Sequence, residues 1–192
     1  TVDGVTRALP QPFTVMATEN PVGSVGTQML PESQLDRFMV CVVMGYPDTE
    51  AEMEILSRQP RHGLLDRVQP VMDKNELLAM QQEVDNIYMS DDIMRYIVSL
   101  SQATRQEPRF ALGLSPRGSL AVAGMARAAA YLAGREFVAP QDVTAIFVDA
   151  AHHRLRLTEQ AQTAGETVEN VLNDLLHTVP RPRPEKGGRH GR

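Results

Sequence analysis

Only one cysteine, Cys41, and two lysines, Lys74 and Lys186, occur among the 192 residues. A single thiol excludes an intramolecular disulfide and a multi-cysteine metal site. Neither lysine follows a glycine loop, so no GxxxxGK[ST] phosphate cradle exists anywhere in the sequence. A serine nucleophile elbow, an HExxH pair and a helix-turn-helix with a basic recognition helix are absent too. No apolar run approaches the roughly 18–20 residues of a spanning helix, and no basic-then-apolar stretch opens the chain. A soluble cytoplasmic protein without membrane insertion is the expectation.

What is present is ordinary for a globular chain: 42% hydrophobic and 22% charged residues, in a length that suits one or two domains. The net charge of −5 is unevenly spread. Residues 181–192 carry five basic side chains against Glu185, a local balance of +4 that leaves −9 on the rest. An acidic body does not neutralise phosphates, so no nucleic-acid partner is expected. The tail RPRPEKGGRHGR has no apolar residue to offset its ordering entropy and reads as a disordered basic tail.

The first third reads as strand, turn and strand. Asp3-Gly4 between β-branched residues is a hairpin signal, because both tolerate the positive φ of a primed turn. Phe13–Thr18 is short, apolar and β-prone, and Pro21 takes Asn20 out of helical geometry. Pro31 and Glu32 suit a helix start. Phe38–Met44 is a second continuous apolar run, closed by Gly45-Tyr46-Pro47. Two such runs around a helical crossover predict parallel strands covered on both faces, although nothing downstream supplies further strands.

The remainder reads as helices. Asp48-Thr49-Glu50 opens one through Leu56. Asp73 and Glu76 have capping-box spacing ahead of a stripe of Leu77, Met80, Val84 and Ile87. Ser90 caps a segment with Ile93, Ile97, Val98 and Leu100 on its apolar face. Ser115-Pro116 opens an Ala-rich helix with Leu120, Met125, Ala128 and Leu132. Pro140 and Thr167 open two more, the last carrying Val171, Leu172, Leu175 and Leu176. A helical bundle over roughly residues 74–178 follows.

Three polar positions stand out. Asn20 is placed at the carboxyl end of a strand, where open α/β sheets bind ligands, or is simply a turn residue before proline. Arg37 lies between a helix and an apolar run, with a surface ion pair to Asp36 as the plain alternative. Arg117 is a cation in a first helical turn, against the macrodipole, and such local conflicts mark functional positions. His152 and His153 are adjacent, so on a helix they diverge by about 100° and form no bidentate metal face. No metal site is expected of them.

The segments PFTVMATENP, LPESQLDRFMV and GYPDTEAEMEIL, followed by GLSPRGSLAVAGMARAAAYLAGREFVAPQDV, resemble in order and spacing the MoxR family of AAA+ ATPases, over roughly residues 1–180. The fold this implies is α/β plus all-α: a truncated P-loop NTPase core sheet over 1–60, a connecting segment and helical lid over 61–178, and a tail over 179–192. By the same resemblance Asn20 is sensor 1, Arg37 the arginine finger and Arg117 sensor 2, acting on ATP with Mg²⁺. The family implies ring homo-oligomers, typically hexamers, in chaperone-like work, often with von Willebrand factor A-domain partners. Its Walker A and Walker B elements have no counterpart in these 192 residues. The sequence is therefore expected to be a C-terminal fragment that neither binds ATP tightly nor hydrolyses it alone. The alternative is a non-catalytic helical module docking on another AAA+ subunit or regulator.

Overall fold

The computed structural model describes residues 3–19, 30–57 and 68–182. Asn20 and the basic tail from 183 lie outside the described residues. The structure divides into two compact units, one of Thr1–Ala17 with Val42–Gln82 and the other of Thr18–Cys41 with Glu83–Arg192. This division is not linear in sequence: the LDRF segment groups with the helical bundle.

In the first unit, Asp3 (φ 50) and Gly4 (φ 76) make the tight turn that their side chains allow. Helix α2 (Thr49–Ser57) starts where Asp48 Oδ1 accepts from the Ala51 N–H at 2.8 Å. Helix α3 (Lys74–Asp85) has a reciprocal cap. Asp73 Oδ1 accepts from the Glu76 N–H at 2.9 Å, while Glu76 Oε2 accepts from the Asp73 N–H at 2.7 Å.

The two apolar runs correct the sequence reading. Neither Phe13–Thr18 nor Phe38–Met44 is a strand, and both expose apolar side chains, Met16 at 92% and Met44 at 88%. The physical reason is pairing: a strand needs a neighbour to complete its hydrogen bonds, and no strand among the described residues lies beside either run. The crossover between them is a single turn, α1 (Glu32–Leu35).

The second unit holds the core. Helices α4 (Asp91–Gln106), α5 (Pro116–Leu132), α6 (Pro140–Ala151) and α8 (Val168–Thr178) bury Leu100, Val122, Val143, Phe147, Val171 and Leu172 completely. Ser90, Ser115 and Thr167 cap α4, α5 and α8 as their sequence positions predict. On α5 the buried stripe differs from the expected one: Leu120 and Leu132 are exposed, while Gly118, Ala121, Val122, Ala126 and Ala130 face inward. Small side chains there let α5 approach α6 closely, its most extensive neighbour.

Three elements go beyond the sequence reading. A short antiparallel ladder joins β1 (Phe110–Leu112) to β2 (Arg156–Leu157), and α7 (Glu159–Thr163) follows. Between α6 and β2 the chain tightens into a 3₁₀ turn, His152–Arg154. No helix of the described residues is long and apolar enough to cross a membrane.

Candidate functional site

The loop before α5 is set by α4. Arg105 Nε donates to the Leu114 carbonyl at 2.7 Å, and buried Thr104 Oγ1 accepts from the Leu114 N–H at 2.9 Å. A Cβ on Gly113 would fall 2.7 Å from Arg105 Cα, so only glycine fits. Ser115 is thereby held at the helix start. Its hydroxyl accepts from the Gly118 N–H at 3.1 Å and donates to Asp36 Oδ1 at 2.8 Å. One hydroxyl serves as cap and as tether, using both its acceptor and its donor capacity.

Asp36 is also held by Arg154, whose Nε donates to the same Oδ1 at 3.2 Å. The Arg154 side chain is only 2% exposed. Its remaining N–H groups donate to the carbonyls of Asp36, Phe38, Met39 and Ala150. Burial lowers the Arg154 guanidinium from its usual value, against which the Asp36 carboxylate works. A buried fork whose donors meet a carboxylate and four carbonyls fixes the segment 36–39 rigidly on the bundle.

Arg37 and Arg117 flank this knot. Arg37 follows Asp36, and Arg117 lies two residues past Ser115, close enough for its charge to act on Arg154. Both are exposed, and neither guanidinium makes a hydrogen bond or ion pair with another described residue. The surface pair of Asp36 with Arg37 is therefore not formed; Asp36 turns to Arg154, 118 positions away. Sequence reasoning missed Asp36, Ser115 and Arg154 as a unit. Only the cap signal at Ser115 was local.

Among the described residues both guanidiniums are left without a partner, as cations open to an anionic ligand are. The oxygen donors a Mg²⁺ ion would need do not gather here: among the described residues the one cluster of three His, Cys or carboxylate groups is Cys41, His152 and His153. Burial pushes His153 down to about 4, with the neighbouring Arg154 and His152 adding and the Phe38 carbonyl and Asp36 opposing. Burial likewise pushes the Cys41 thiol up, helped by the carboxylates of Glu19, Asp149 and Glu169.

Two family models match this chain. Residues 102–175 match the AAA lid domain, and residues 1–40 match the ATPase family associated with various cellular activities (AAA). The helical bundle is thus an AAA lid, preceded by a stretch of AAA ATPase sequence. The Bacillus subtilis protein YeaC is 41% identical over 95% of this chain and 57% of its own length. Chaperone MoxR1 of Mycobacterium tuberculosis is 35% identical over 97% of this chain and 52% of its own. The crystal structure of a candidate ATPase from Cytophaga hutchinsonii superposes with a TM-score of 0.84 at 30% identity, over 95% of this chain and 58% of that one. The chain belongs to the MoxR family of AAA+ ATPases. It spans about half the length of the curated relatives it matches.

Proposed function

We propose that these residues are the trigger portion of a cytoplasmic, chaperone-type MoxR ATPase, a part that responds to ATP rather than the part that cradles it. In this reading residues 1–60 belong to the ATPase core, the segment from 61 to 178 leads into and forms the lid, and the phosphate-binding loop lies outside this fragment. Arg37 acts as arginine finger toward the nucleotide of a neighbouring subunit in a ring, a hexamer by family resemblance. Arg117 acts as sensor 2, and Asn20 as sensor 1. A von Willebrand factor A-domain protein is the partner class that the resemblance suggests.

The observation that carries this reading is that Arg37 and Arg117, exposed and unpartnered among the described residues, adjoin in sequence the two residues, Asp36 and Ser115, that the anchor ties together. ATP with Mg²⁺ supplies the transferable phosphoryl group. Arg37 would offset negative charge that grows on that group, and a preorganised cation is worth most where water is excluded. Asp36 and Arg154 hold the backbone on either side of the finger, so little reorganisation accompanies its use. Arg117 adds a cation from the lid, which lets lid position report on phosphate. Asn20, as a neutral amide, can orient a water without adding charge.

The test has two parts. The 192-residue chain alone shows no Mg-ATP turnover; an ordinary ATPase rate would contradict the fragment reading. In the complete ATPase this reading requires, Arg37→Ala abolishes turnover and leaves nucleotide binding largely intact. Loss of binding instead would make Arg37 structural. The exposed apolar side chains Val42, Val43 and Met44 favour a second reading, a helical module that docks without catalysis on another AAA+ subunit. Unchanged turnover in the Arg37 variant would support it.

A further inference from the structure

The 3₁₀ turn after α6 does something that the α-helical reading of His152-His153 excludes. It sets the two imidazoles edge to face, with ring centroids 5.5 Å apart, and brings both to Cys41. One ligand-type atom from each of the three residues lies within 4.8 Å of the others. Cys41 reaches this position because its backbone N–H donates to the Asp149 carbonyl at 3.1 Å, which docks the segment onto α6.

The hydrogen bonds decide which nitrogens are available. His152 Nδ1 lies 3.0 Å from the Val148 carbonyl, and His153 Nε2 lies 3.1 Å from the Phe38 carbonyl. A carbonyl only accepts, so each of these nitrogens carries the proton. The lone pairs are then on His152 Nε2 and His153 Nδ1. His153 Nδ1 is buried and has no hydrogen-bond partner among the described residues, an acceptor left open in the interior. An imidazole held by its other nitrogen to a backbone carbonyl is the arrangement that metal-binding histidines use.

We propose that Cys41, His152 and His153 bind a zinc-class divalent cation through one thiolate and two neutral imidazoles, leaving a fourth position for water. One sulfur and two nitrogens suit Zn²⁺ and not Mg²⁺ or Ca²⁺, which take oxygen donors. Zn–N distances near 2.0 Å and Zn–S near 2.3 Å put tetrahedral ligand atoms about 3.3–3.6 Å apart, so no pair of the triad closes by more than about 1.5 Å on binding. All three side chains are half-buried, which leaves room for that movement and a path for the ion. Binding releases the thiol proton to solvent. The carboxylates of Glu19, Asp149 and Glu169 supply a negative field that a divalent ion would relieve, while Arg154, already neutralised in part by Asp36, opposes it. The ion would tie Cys41 to the end of α6, locking the segment behind the Asp36–Arg154 knot independently of any nucleotide.

Titration of the purified chain with Co²⁺ tests this. The expected result is a one-to-one complex with a thiolate-to-cobalt charge-transfer band and tetrahedral visible absorption, both displaced by Zn²⁺. Cys41→Ser loses the charge-transfer band, and His153→Gln with His152→Gln loses the tetrahedral absorption. No thiolate band at millimolar Co²⁺, or a spectrum indifferent to the histidine substitutions, overturns the proposal. Because a variant can fail to fold, a second readout uses the unaltered chain: Zn²⁺ protects Cys41 from alkylation and Mg²⁺ does not. Equal alkylation with and without Zn²⁺ contradicts the site.

Discussion

The two units of this chain contain similar apolar segments and treat them in opposite ways. Every described residue of the unit formed by 1–17 and 42–82 is at least partly exposed, whereas the unit built on 83–182 with 18–41 encloses a continuous core. Phe13 is 56% exposed and Phe147 is 0% exposed. The difference lies in how each kind of segment satisfies its backbone. A helix completes its own hydrogen bonds and needs only a neighbour for one apolar face, which α4, α5, α6 and α8 provide for one another. An isolated extended run has neither ladder nor cover. Hydrophobicity alone therefore does not make a core; the topology must bring a partner.

The comparison can be broken most severely by limited proteolysis. Cleavage is expected within residues 3–17, 42–57 and 68–82, with a fragment beginning near 83 surviving; equal resistance of both units would erase the contrast. Next in size is a matched pair of truncations. Phe147→Ala should cost about 3–5 kcal/mol, and Phe13→Ala less than about 0.5 kcal/mol, read by urea unfolding monitored through helical circular dichroism. A comparable loss from Phe13→Ala would mean that the first unit has a core after all.

Smaller effects sharpen the picture within the lid. Arg154→Met leaves Asp36 with the Ser115 hydroxyl alone, takes the guanidinium away from several carbonyls, and should cost about 1–3 kcal/mol. Hydrogen exchange should then quicken at Phe38 and Cys41 while the α8 amides stay protected. Unchanged exchange there would deny Arg154 its anchoring role. Asp142 is the mildest case. Burial pushes its carboxyl up, but hydrogen bonds from Arg135 and the Ala139 N–H, with the Arg135 charge, bring it below its ordinary 3.8. A lowered folded value means its contribution is complete above pH 3.8 and fades as pH falls through the folded value. Asp142→Asn should cost about 0.5–2 kcal/mol at neutral pH, a gap that narrows in acid. A gap constant down to pH 2 would contradict this.

Much of the bundle was legible because its signals are local. Ser90, Ser115, Asp73 and Thr167 announce helix starts through a side chain that serves a backbone group three residues on. Faces were less legible: on α5 the large Leu120 and Leu132 drew the stripe, while close packing against α6 selected the alanines. The ladder between β1 and β2 is too short for any periodicity, and its strands lie more than forty positions apart. The candidate site divides the same way. The resemblance singles out Arg37 and Arg117, whereas Asp36, Ser115 and Arg154 meet only through the tertiary fold.

The central claim is that Arg37 acts on a nucleotide held by another subunit. In the complete ATPase that the proposed function requires, subunits carrying Arg37→Ala are mixed with subunits lacking the phosphate-loop lysine, each expected to be inactive alone. The account predicts that mixed rings regain Mg-ATP turnover, because some interfaces pair an intact cradle with an intact finger. Mixtures that stay as inactive as their components, with assembly intact, would contradict it.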